Sequence, residues 1–179
     1  MKRIALATGL LLSLSVFVGC SSDDPAEESG TCRIKSVSAD PSFRADILPI
    51  FQGSCTFSDT CHGDTKRSQQ NLYLGAPLPN EAKGIPEMTN QEISDMLAGF
   101  IGRASETAPA VNLVTASDAN ASFLMYKVDG TQNDQGFQCV NDDGDPDCGE
   151  SMPDTLGSLL CDNERETIRN WINMGAKDN

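Results

Sequence analysis

Apolar residues along this chain gather into short helical stripes separated by long polar stretches. Ser42 to Gly53 (SFRADILPIFQG) carries Phe43, Ile47, Ile50 and Phe51 at close to helical spacing, with Pro49 expected to kink or restart the helix. Thr89-Asn90-Gln91-Glu92 has the pattern of a capping box, in which the Thr and Glu side chains each bond the other's backbone amide. Behind it Ile93, Met96, Leu97, Phe100 and Ile101 recur at i, i+3, i+4, i+7 and i+8, the spacing of one buried helix face. Gly99 weakens that helix and Gly102 closes it. Ser117 or Asp118 is placed to cap a shorter helix bearing Phe123, Leu124 and Tyr126. Asp162 is placed to cap the last helix, which shows Ile168, Trp171 and Ile172 on one side and ends at Gly175. Strand-like alternation is confined to Cys32 to Ser38. The pattern predicts a mainly α domain with two long connections, Asp64 to Glu87 and Gly130 to Met152. Loops of that length need a reason in a compact domain; wrapping a large prosthetic group is one, and stapling by disulfides is another.

The N-terminal segment reads as an address rather than as part of the fold. Lys2 and Arg3 precede a mostly apolar run from Ile4 to Val18, short for a membrane span. Phe17-Val18-Gly19-Cys20 resembles the bacterial lipobox, which implies cleavage before Cys20 and a thioether-linked diacylglycerol on its sulfur. An ordinary signal peptide cut elsewhere is the alternative. Residues 1–19 are then a lipoprotein signal, 20–31 a lipidated cysteine with a flexible acidic tether, and 32–179 one folded domain. Removing 19 of 179 residues leaves 160, enough for a domain with its own core. Losing Lys2 and Arg3 takes the net charge from −13 to −15. So acidic a chain argues against nucleic acid and against direct docking on anionic lipid heads. Membrane contact is expected through the lipid alone. The expected location is the cell envelope, periplasmic or outer surface, where the domain could meet a basic partner.

Cysteine usage agrees with an oxidising compartment. With Cys20 given to lipid, Cys32, Cys55, Cys61, Cys139, Cys148 and Cys161 remain, an even set. Pairing Cys139 with Cys148 would staple a small acidic turn. Cys32 and Cys161 would then link the start of the domain to the head of its last helix. The turn, Cys139 to Glu150 (CVNDDGDPDCGE), holds four aspartates whose hard oxygens suit calcium. It lacks EF-hand spacing, so a solvated stapled turn is the plainer reading of the 141–150 loop.

The sharpest chemical signal is Cys61-His62. His62 is the only histidine. A c-type haem needs two cysteines for its vinyl groups and a histidine directly after the second to ligate iron, often with a distant methionine on the other face. The usual attachment run has two residues between the cysteines; here Thr56 to Thr60 make five. The excess is about one helical turn, which could bring Cys55 back to the same face. Met152 stands in a polar loop before Pro153 and offers a soft, neutral thioether. Met88, Met96, Met125 and Met174 read as packing. The competing reading is a Cys55–Cys61 disulfide with His62 exposed. Zinc at Cys55, Cys61 and His62 lacks a fourth ligand. One histidine builds no catalytic triad beside this motif, and no phosphate-binding glycine loop is present.

The order of elements resembles a known family. Ile47-Leu48-Pro49-Ile50-Phe51 precedes a cysteine and then Cys-His-Gly. Asn71-Leu72-Tyr73-Leu74 follows, and Ser122-Phe123-Leu124-Met125-Tyr126-Lys127-Val128 has the form S-x-L-x-x-K. Met152-Pro153 comes next, then Ile168 to Ala176, which ends W-I-x-x-G-A. From Phe43 to Ala176 this resembles the monohaem class I-type cytochrome c domains of secreted bacterial lipoproteins, departing from them at the C-x5-C-H attachment run. The resemblance implies a small cytochrome c-like fold whose first and last helices cross and clasp one haem c. It makes Cys55 and Cys61 the thioether residues, His62 the proximal ligand and Met152 the distal one. It implies electron transfer to a redox partner protein, with no substrate turnover by the domain. The alternative is a haem-free, disulfide-stapled surface lipoprotein acting as a binding module.

Overall fold

The structure, a computed structural model, describes residues 32–57, 61–140, 144, 146–154 and 159–179. Residues 1–31, on which the signal, lipidation and tether expectations fall, lie outside the described residues. The domain is mainly α. Among the described residues it has four α-helices: α1 (Leu48–Ser54), α2 (Asn90–Phe100), α3 (Phe123–Asp129) and α4 (Asp162–Asn173). Only isolated bridges stand where strands would be.

Pro49 restarts the first helix. Ser42 caps one π-helical turn, Phe43–Ile47, by accepting the Ala45 amide at 3.3 Å. α1 then begins with Pro49 in its first turn, where a missing N–H is of no consequence. The capping box of α2 forms as its sequence predicts. The Glu92 amide donates to Thr89 Oγ1 at 3.3 Å, and the Thr89 amide donates to Glu92 Oε2 at 2.7 Å. The Thr89 amide and hydroxyl, both donating to Glu92 Oε2, hold that carboxyl below its ordinary range. Thr89→Ala should destabilise the domain by about 1 kcal/mol in denaturant unfolding. A lowered folded-state value means that Glu92 contributes fully above its ordinary value and loses that contribution as pH falls through the lowered one. The deficit of Thr89→Ala should therefore shrink in strong acid.

The core joins the two ends of the domain. Ile93, Met96, Leu97 and Phe100 of α2 are buried, as are Ile168, Trp171 and Ile172 of α4. The Trp171 ring lies 5.3 Å from Phe43, 6.4 Å from Phe51 and 6.3 Å from Phe100, centroid to centroid. Its Nε1–H donates to the Lys177 carbonyl at 2.9 Å, which fixes the tail beyond Gly175. The first and last helical segments thus meet through aromatic rings.

Gly102, at φ +74°, turns the chain after α2. The following segment lies against 111–114, with Gly102 N–H on the Val114 carbonyl at 2.8 Å and Leu113 N–H on that of Arg103 at 2.7 Å. The same inner segment takes over the start of α3. Phe123 and Leu124 donate to the Asn112 and Leu113 carbonyls at 2.9 and 3.0 Å. α3 therefore has no side-chain cap, contrary to the expectation for Ser117 or Asp118. Asp118 caps only the single 3-10 turn Ala119–Ala121.

Two further expectations are corrected near α4. Asp162 is the first helical residue rather than the cap, and its carboxylate pairs with Arg165. Cys161 occupies the cap position. Cys32 to Ser38 forms no strand, because side chains of α4 take up its backbone groups. Arg33 N–H bonds the Glu164 carboxylate, Ser38 N–H bonds Thr167 Oγ1 at 3.1 Å, and Asn170 Nδ2 donates to the Ser38 carbonyl at 2.9 Å. The Cys32–Cys161 disulfide stands at the head of this seam and joins positions 129 residues apart. Cys139 and Cys148 form the second disulfide. Both pairs are those the spacing suggested.

Candidate functional site

α1 delivers Cys55 as its C-terminal cap, with the Cys55 amide on the Phe51 carbonyl at 2.8 Å. The Cys55 carbonyl in turn accepts the His62 amide at 3.1 Å. In a run with two residues between the cysteines, the histidine follows the first cysteine by four positions. The α-helical bond would then run from its amide to that cysteine's carbonyl. The same pair of backbone groups meets here despite three additional residues. No disulfide joins Cys55 to Cys61. Cys55 is part-buried against the core. Burial pushes its thiol up to about 12, with the Glu164 carboxylate and Cys61 adding to the effect.

His62 is buried, 9% exposed. Its Nδ1 lies 2.9 Å from the Leu72 carbonyl, a group that can only accept. The bond therefore places the proton on Nδ1 and leaves a lone pair on Nε2. Burial lowers the imidazole's proton affinity; the Leu72 hydrogen bond opposes this, and the Lys127 cation lowers it further. The Leu72 carbonyl is itself held in place. Gln70 and Asn71, just before it, take left-handed backbone angles, φ 53° and 49°. Arg103 donates to the Asn71 and Gln70 carbonyls at 3.1 and 3.4 Å. Leu74 N–H closes the loop on the His62 carbonyl at 2.9 Å.

Met152 is attached to α3. Its amide donates to the Lys127 carbonyl at 2.8 Å, and its peptide bond to Pro153 is cis. Lys127 Nζ donates to the Cys148 carbonyl at 2.9 Å and lies 6.0 Å from the Phe123 ring centroid. Burial brings Lys127 down to about 8, against the opposing charges of Glu150, Asp147 and Asp154. Met96 and Met125 are buried, and Met88 is part-buried with its sulfur accepting the Ala76 amide at 3.3 Å, all three packing as expected. Met174 departs from expectation. It falls after the last turn of α4, off the buried stripe, and is 45% exposed.

Of the residues named from sequence, Cys55 and His62 are joined through the backbone, Cys61 sits next to His62, and Met152 is tied to Lys127. Sequence reasoning missed the Leu72 carbonyl, Arg103 and Glu164. A backbone carbonyl has no side-chain signature, and nothing local marks the other two. Lys127 was visible only as the end of the S-x-L-x-x-K pattern. Positions 141–143 and 145 of the acidic turn lie outside the described residues. Among the described residues, no three His, Cys, Asp or Glu side chains converge as a metal site of their own. A cleft of about 260 Å³ lies between Tyr73, Arg103 and the Glu92 and Asp95 positions of α2. Comparison with known proteins finds no match to the chain: no family model, no curated protein and no solved structure.

Proposed function

We propose that this domain binds one haem c and carries single electrons at the cell envelope, anchored through lipid on Cys20. His62 Nε2 and Met152 Sδ would hold the iron, and Cys61 with Cys55 would supply the thioethers. The observation that carries the reading is the state of His62. It is buried, it is directed by the Leu72 carbonyl into the tautomer that frees Nε2, and its amide is bonded to the Cys55 carbonyl.

The donor set fits the group. A neutral imidazole and a neutral thioether suit a haem iron, and His/Met ligation raises its reduction potential. Thioether formation adds a thiol S–H across a vinyl C=C, sulfur to one carbon and hydrogen to the other. It needs thiols, not a disulfide, and no disulfide joins Cys55 to Cys61. Haem supplies an iron that changes by one electron. The chain's own part is to hold two ligands, exclude water and present an acidic surface to a basic partner. The second reading, a haem-free binding module, draws on the Cys32–Cys161 and Cys139–Cys148 staples, which crosslink the domain.

The test is a reduced alkaline pyridine haemochrome spectrum of the mature protein, purified from the envelope of its native host. A c-type band of one haem per chain is expected, with a matching mass increase on the denatured polypeptide. A colourless protein of unmodified mass would overturn the haem reading and leave the binding module.

A further inference from the structure

We infer that Lys127 is a positioning residue for Met152, holding the methionine segment by its backbone and its side chain at once. This rests on the haem reading and adds to it the element that sets the distal ligand. α3 ends at Asp129, so the Lys127 carbonyl is one of the last four that a helix leaves without an internal partner. The Met152 amide takes that place at 2.8 Å. The same residue sends its ammonium to the Cys148 carbonyl at 2.9 Å. One side chain and its own peptide therefore grip the segment at both ends, residues 148 and 152.

Neighbours at the end of α3 fix the near end of that segment. Gln132 Nε2 donates to the Gly149 carbonyl at 2.8 Å, and Asn133 Oδ1 accepts the Cys148 amide at 2.7 Å. The Cys139–Cys148 disulfide ties the same point to the other side of the acidic turn. With 148, 149 and 152 held, the Met152 thioether has a defined origin. A part-buried ammonium is a costly way to fill space, and an apolar side chain of similar length would pack at lower cost. Its geometry is explained by the carbonyl it holds.

The experiment compares the haem-loaded wild type with Lys127→Met, Lys127→Arg and Asn133→Ala. Haem per chain comes from the pyridine haemochrome. Methionine ligation comes from the far-red sulfur-to-iron charge-transfer band of the oxidised protein and from the reduction potential. Lys127→Met should keep its haem, lose most of the band and shift to lower potential. Lys127→Arg, which can still donate to the Cys148 carbonyl, should recover most of the band. A full band and unchanged potential in Lys127→Met would overturn the inference while leaving the haem reading intact. A wild type with haem but no such band would do the same. A wild type without haem would instead remove the reading beneath it. Should Lys127→Met fail to fold, exposed Asn133 loosens the same segment; a weakened band in Asn133→Ala supports the inference, and an unchanged one overturns it.

Discussion

On the proposed haem reading, replacing His62 by Ala is expected to leave the purified chain with little or no low-spin c-type haem. Loss of partners that merely orient a metal ligand already lowers affinity 10–100-fold, so loss of the ligand itself should exceed roughly 100-fold. The fold should survive. His62 makes one side-chain bond, to the Leu72 carbonyl, and a net hydrogen bond is worth about 1 kcal/mol. Circular dichroism should therefore stay close to wild type while the haem bands disappear. Cys61→Ala should behave like His62→Ala, because the proposed thioether and ligand residues are neighbours in the chain. Cys55→Ala is the more informative partner. Cys55 is part-buried beside Glu164, and if it forms a thioether its removal should leave haem attached by one bond only. The readouts are absorbance per chain and the mass of the denatured protein. A His62→Ala protein carrying a full complement of low-spin haem would assign the proximal ligand elsewhere.

Trp171→Ala should cost about 3–5 kcal/mol, the range for deleting a buried large aromatic. Against a total stability of roughly 5–15 kcal/mol, that is a large share, and the variant should be marginal at room temperature. The size follows from position. Trp171 is 1% exposed and packs against Phe43, Phe51 and Phe100, so it joins the first helical segment and α2 to α4. Its Nε1–H also holds the Lys177 carbonyl. Trp171→Phe keeps much of the ring packing and loses that bond, and it should cost clearly less. Urea unfolding followed by circular dichroism measures both, since Trp171 is the only tryptophan and its fluorescence vanishes with it. The Cys32–Cys161 disulfide keeps the unfolded chain compact and leaves this difference between variants to the core. Equal midpoints for wild type and Trp171→Ala would show that the aromatic junction does not hold the ends together.

Short-range chemistry was legible in the amino-acid order. The i, i+3, i+4 stripe and the Thr89–Glu92 box determine α2, because a helix face and its cap are read within one or two turns. The stripe of α4, the restart at Pro49 and the mainly α class follow for the same reason. The four cysteines of the two disulfides were legible as candidates, but three pairings of them were open, and the fold selected Cys32 with Cys161 and Cys139 with Cys148. What only the tertiary structure decided runs through groups that have no local signal. Cys32 to Ser38 alternates like a strand, yet Glu164, Thr167 and Asn170 of α4 claim its backbone groups. The five-residue gap before Cys61 looked like an obstacle in spacing alone. The fold returns the His62 amide to the Cys55 carbonyl across it. The tautomer of His62 depends on the carbonyl of Leu72, 10 residues away, and the place of Met152 depends on the carbonyl of Lys127. Every residue type carries the same carbonyl, so the order of side chains determines where helices form, and only the packed chain decides which carbonyl meets which donor.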